Sequence, residues 1–150
     1  MRVSGIFAAI SIAYAGAAGA SCTVAMPSLS FGFYDALSSA PVTTSGNAVI
    51  TCTANPPPTV SVQLGPSAVS GGFFPRRMRA AGGGDVLDYN FYADVSAASV
   101  FGDGTGGTVT RSAKVAKNQP WSVTFYGRIA PNQDVAPGSY SDTLTITINF

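Results

Sequence analysis

Tyr140-Ser-Asp-Thr-Leu-Thr-Ile-Thr-Ile-Asn-Phe150 is the stretch on which the fold turns. Leu144, Ile146, Ile148 and Phe150 alternate with Thr145, Thr147 and Asn149 up to the last residue. A period of two places the four apolar side chains on one face of a β-strand. A strand this apolar, ending without a charged tail or a following strand, aggregates unless something covers it. It therefore calls for a sandwich interior or for a partner strand from another molecule.

The preceding chain reads the same way. Residues 122–130 alternate Val123, Phe125, Gly127 and Ile129, and Pro131 to Gly138 turns the chain into the final strand. Nearer the start, Leu29, Phe31 and Phe33 alternate. Residues 47–53 carry Val49, Ile50 and Cys52 and stop at Asn55-Pro-Pro-Pro58, before a strand with Val60, Val62 and Leu64. Residues 65–84, punctuated by Gly71-Gly72 and Gly82-Gly83-Gly84, read as loops with room for one short strand. Tyr89, Phe91 and Ala93 alternate over residues 89–95, and a Gly-rich turn leads from Phe101 into residues 108–111. Helical periodicity is missing, and Gly and Pro recur throughout. About seven short strands at this spacing predict one all-β domain, an immunoglobulin-like antiparallel sandwich.

Residues 1–20 stand apart. Arg2 is followed by the apolar run from Ile6 to Tyr14, then by the small residues Ala18-Gly19-Ala20. This is the pattern of a secretory signal peptide cut after Ala20; the run is too short and too rich in Ala and Gly to span a bilayer well. Residues 21–150 are then expected to be an exported domain without a transmembrane segment. Removing Arg2 leaves seven basic residues against seven Asp. Balanced charge gives no basic stripe to match a phosphate backbone, which argues against nucleic acid as a partner.

Cys22 and Cys52 are the chain's two cysteines. In an oxidising compartment an isolated pair forms one disulfide, stabilising by roughly 3–4 kcal/mol in the chain-entropy model. A metal pair would need His or further Cys, and the sequence holds neither. The same lack of His removes Ser-His-Asp and Cys-His chemistry. The Gly-rich 102–107 segment lacks the Lys-Ser/Thr of a phosphate loop. Asp85, Asp88 and Asp103 match no calcium-loop spacing and read as solvated turn carboxylates. No enzyme, no cofactor and no metal site are expected. Phe73-Phe74-Pro75 follows Gly71-Gly72 and precedes three Arg, so Phe73 and Phe74 form a candidate surface-contact loop, unless they tuck back over the end of the sandwich. Trp121 reads as a core or edge filler rather than a sugar platform.

Tyr126-Gly-Arg-Ile129, Gln133, Gly138-Ser-Tyr-Ser-Asp-Thr143 and the alternating strand to Phe150 resemble the spore coat U domain family, which includes subunits of archaic, Csu-type chaperone–usher pili. Cys22, Phe31-Gly32, Ile50-Thr-Cys52, Arg77-Met78, Leu87-Asp-Tyr-Asn-Phe-Tyr92 and Phe101-Gly-Asp-Gly104 extend the likeness over residues 21–150. The resemblance implies a sandwich lacking one strand, filled by a periplasmic chaperone and later by an adjacent pilus subunit at an outer-membrane usher. It assigns Leu144, Ile146, Ile148 and Phe150 to the edge of that donor-strand groove. It also implies an extracellular fibre serving surface attachment or biofilm formation. Shaft subunits of such fibres carry an apolar extension ahead of the first Cys. Cleavage after Ala20 would leave Ser21 alone there, which suggests a terminal, adhesive tip subunit. The alternatives are a spore or cyst coat protein, or a self-complete extracellular binding module.

Overall fold

The computed structural model describes residues 2–15, 21–26 and 28–150. Among them are ten strands and no helix, so the expected fold class holds while the strand count exceeds the seven read from sequence. In chain order they are β1 (Arg2–Ala15), β2 (Cys22–Ala25), β3 (Leu29–Asp35), β4 (Val42–Cys52), β5 (Thr59–Leu64), β6 (Arg76–Ala80), β7 (Val86–Tyr92), β8 (Arg111–Lys114), β9 (Trp121–Ile129) and β10 (Tyr140–Asn149).

The strands run in the order β2-β4-β9-β7-β6-β10-β1-β3, with β5 and then β8 attached to the other side of β10. At β6 the order folds over, through just Tyr140↔Ala80 and Ser141↔Arg79. The two halves then face each other. Phe31 of β3 sets its ring 5.8 Å from those of Tyr89 and Phe91 on β7. Phe101 meets Phe125 of β9 edge-on at 4.9 Å, a geometry that aromatic quadrupoles favour. Alternation does the sorting. Val123, Phe125 and Ile129 of β9 and Leu144, Ile146 and Ile148 of β10 point inward at 3% exposure or less, while Ser and Thr between them face out.

Two strands differ from their sequence expectation. β4 starts at Val42, not at residue 47, because β9 continues beside its polar first half and pairs Val42↔Ile129 through Asn47↔Thr124. The strand expected at 108–111 lies instead at Arg111–Lys114, where β5 offers an edge. Cys22 and Cys52 are direct neighbours on β2 and β4 and are joined as a disulfide. Tyr140 opens β10 with its hydroxyl donating to Ala136 O at 2.9 Å, a local tie that pins the turn to the strand start.

Candidate functional site

β10 organises the candidate site. Along one side it bonds to β5 (Ile146↔Leu64, Ile148↔Val62) and to the end of β6. Along the other side its partner is β1, in nine parallel pairs from Phe7↔Ser141 to Ala15↔Asn149. The far side of β1 is closed by β3, antiparallel (Phe7↔Ser30, Ala8↔Leu29). Residues 2–15 thus fill a slot between β3 and β10, and all of them belong to the segment with signal-peptide character. The expected cleavage site, Ala18-Gly19-Ala20, lies outside the described residues.

Without β1, the backbone of β10 over residues 141–149 would face an open slot, and its N–H and C=O groups on that side would lose their partners. Ile12, in register with the fully buried Ile146, keeps 36% of its own surface exposed. Phe150 packs half-buried against the core.

The loop between β5 and β6 is anchored from beneath by a buried polar network. Arg76 has no exposed surface. Its guanidinium donates to Gly65 O (2.8 Å), Phe101 O (2.8 Å), Leu64 O (3.3 Å) and Asn90 Oδ1 (2.6 Å). Burial lowers its pKa to about 10, and Tyr89, Asp142 and Asp103 oppose that shift. Asn90 Nδ2 donates to Phe73 O at 2.6 Å. Tyr89 Oη donates to Asp142 Oδ2 at 2.7 Å; burial, then Asp142, push the phenol's pKa up. Ser67 Oγ donates to Arg77 O at 3.0 Å and accepts from Arg77 N at 3.2 Å. On this base Phe73 lies over Arg76, 5.0 Å from guanidinium to ring centroid, whereas Phe74 is 60% exposed. The loop presents one phenyl ring and retains the other.

Sequence reasoning did not single out this network, although β6 gives a cue: period two puts Arg76 on the same face as Met78. The three Asp weighed for calcium are held in separate places. Asp88 pairs with Arg77 at 2.9 Å, Asp85 accepts from Ala136 N, and Asp103 accepts from Thr105.

The motif residues mostly build scaffold. Gln133 exchanges two hydrogen bonds with the Asp88 backbone, at 2.7 and 2.8 Å. Gly127 is required by space, since a Cβ there would come within 2.7 Å of the Phe31 ring and of Thr44. The family model of the Spore Coat Protein U domain matches residues 8–147. The chain belongs to that family. The match begins inside β1. A relative, Protein U of Myxococcus xanthus, is 36% identical over 93 residues, which is 61% of this chain and 50% of the relative. A similar solved structure is the CsuC–CsuE chaperone–tip adhesion subunit pre-assembly complex from archaic chaperone–usher Csu pili of Acinetobacter baumannii. There the TM-score is 0.58 at 21% identity, over 87% of this chain and 40% of that one. That likeness is one of fold. The spore coat U chain spans half or less of either protein's length.

Proposed function

We propose that this chain is an exported, non-catalytic structural subunit of an archaic chaperone–usher fibre, held in the periplasm by a chaperone and joined at an outer-membrane usher to an adjacent subunit. One observation carries the reading: the strand between β3 and β10 is supplied by residues 2–15, the part of the chain with leader character. Once the leader is removed, a partner's strand must take that place. The fold shared with a chaperone-bound pilus subunit supports it. With Ser21 alone ahead of Cys22, the processed chain accepts a strand without donating one, which fits a terminal subunit. Phe74 would then touch the surface to which the fibre attaches.

A second reading has an observation of its own. The family match starts at residue 8. If residues 8–15 remain after export, β1 completes the sandwich and the protein is a self-sufficient coat or binding module.

One experiment separates the two. The tagged full chain is expressed with its own operon, recovered from the periplasm, and its intact mass is measured. A chain starting at Ser21 in an equimolar complex with a small chaperone, lost on deleting residues 144–150, establishes the fibre pathway. A monomer retaining residues 8–15 and lacking an escort establishes the second.

A further inference from the structure

A trough of about 420 Å³ lies on the outer face of β4, β9 and β7, away from the slot at β10. Its floor follows from register: Ser45, Tyr126 and Tyr92 sit side by side on the three strands, and Thr43 and Arg128 form the next rung. Neighbours across strands stand about 5 Å apart, so two phenol rings, hydroxyls and a guanidinium share one small face. The charge there is one-sided. Among the described residues lining the trough, Arg128 is the one cation and there is no carboxylate. The Arg128 guanidinium has no hydrogen bond or ion pair among the described residues. Asp88, in the adjoining depression, is already paired with Arg77.

The rim is built rather than loose. Val95 and Ala97 contribute to it, and Ala97 holds a left-handed backbone at φ 58°. Such conformations in non-glycine residues persist where the surroundings enforce them. Here Asp94 enforces it by accepting from Ala98 N at 3.0 Å and Ser99 N at 2.8 Å. Its pKa falls to about 2 because those N–H groups and the Ser96 hydroxyl stabilise the carboxylate.

We infer that this trough binds an acidic saccharide, a uronate-type sugar whose carboxylate meets Arg128 while its apolar ring face lies against Tyr126 and Tyr92. The chemistry fits each part. Guanidinium forks match carboxylates, aromatic faces take the C–H side of a pyranose, and hydroxyls at the edge take its OH groups. The volume lies within the range of small-ligand sites.

The test titrates the full-length chain, with any escort it carries, with a trigalacturonate and with a neutral trisaccharide of equal length, by calorimetry or ligand-observed NMR. The acidic sugar is expected to bind about tenfold more tightly than the neutral one, and Arg128→Gln to remove that difference. Tyr126→Ala should weaken both, and Arg79→Gln, an exposed arginine outside the trough, should change neither. Equal binding of both sugars by wild type and Arg128→Gln would overturn the proposal. So would no binding at millimolar sugar. Self-association abolished by Tyr126→Arg, without sugar binding, would reassign the face to a contact between copies. None of these outcomes depends on how the slot at β10 is filled.

Discussion

Arg76 carries its charge to a position where none of its surface reaches water. Among the described residues no carboxylate hydrogen-bonds to it; three backbone carbonyls and the Asn90 amide do. The cation survives burial because its directional donors are satisfied, and a pKa near 10 still leaves it protonated at neutral pH. Arg76→Met would keep the volume but leave those acceptors buried without a donor. We expect a loss of about 3 kcal/mol in urea unfolding. Arg76→Lys should lose less, because an ammonium still donates to part of the set. Retention of full stability by Arg76→Met would mean that water replaces the guanidinium. The same substitution should loosen Phe73, which loses its cation and shares Asn90 as an anchor. The sequence placed Arg76 next to Phe74-Pro75 but not in the interior. Charged residues are rarely buried, and the carbonyls that make this one tolerable come from residues 64, 65 and 101, which are brought together only by the fold.

At the scale of elements, legibility followed how much of a strand's pattern came from its own burial. β9 and β10 each bury one clean face, so alternation alone identified them. The first half of β4 is polar, and nothing local distinguishes Thr43 to Asn47 from a loop; it is a strand because β9 lies beside it. β8 is four mostly exposed residues held by β5 for the same reason. β1 reads as a leader on sound local grounds, and its sheet position depends on a slot between β3 and β10, the latter more than a hundred positions away. The groove-edge assignment for Leu144, Ile146, Ile148 and Phe150 came through resemblance; alternation alone left open which element would lie beside β10. Burial at Ile146 gives it a direct test. Ile146→Asp places an unpaired carboxylate at a fully buried site and should cost at least about 4 kcal/mol. The chain should fail to accumulate on export, while Thr145→Asp, one residue away and exposed, should accumulate normally. Equal periplasmic amounts of both variants on an immunoblot would show that β10 does not carry the core.

Over the whole molecule, the question is whether residues 21–150 hold enough buried surface to stand alone. A slot awaiting about four apolar side chains, at ~1.5–3 kcal/mol each, forgoes roughly 6–12 kcal/mol. That is comparable to the entire net stability of a typical domain, about 5–15 kcal/mol. The Cys22–Cys52 bond joins β2 to β4 and ties neither β3 nor β10, so it cannot replace a strand between those two. The chain cut at Ser21 should therefore unfold at much lower urea than the full chain. A free peptide of residues 2–15 should restore stability in proportion to the logarithm of its concentration, by about 2.7 kcal/mol at a hundredfold excess over its Kd. A longer apolar alternating peptide should act at lower concentration, because it buries more apolar surface. If the cut chain unfolds cooperatively at the same urea as the full chain, and no peptide shifts it, β3 and β10 close on each other and the slot is not an acceptor. If the peptides stabilise it, the slot is an acceptor for an added strand, as the proposed fibre role requires.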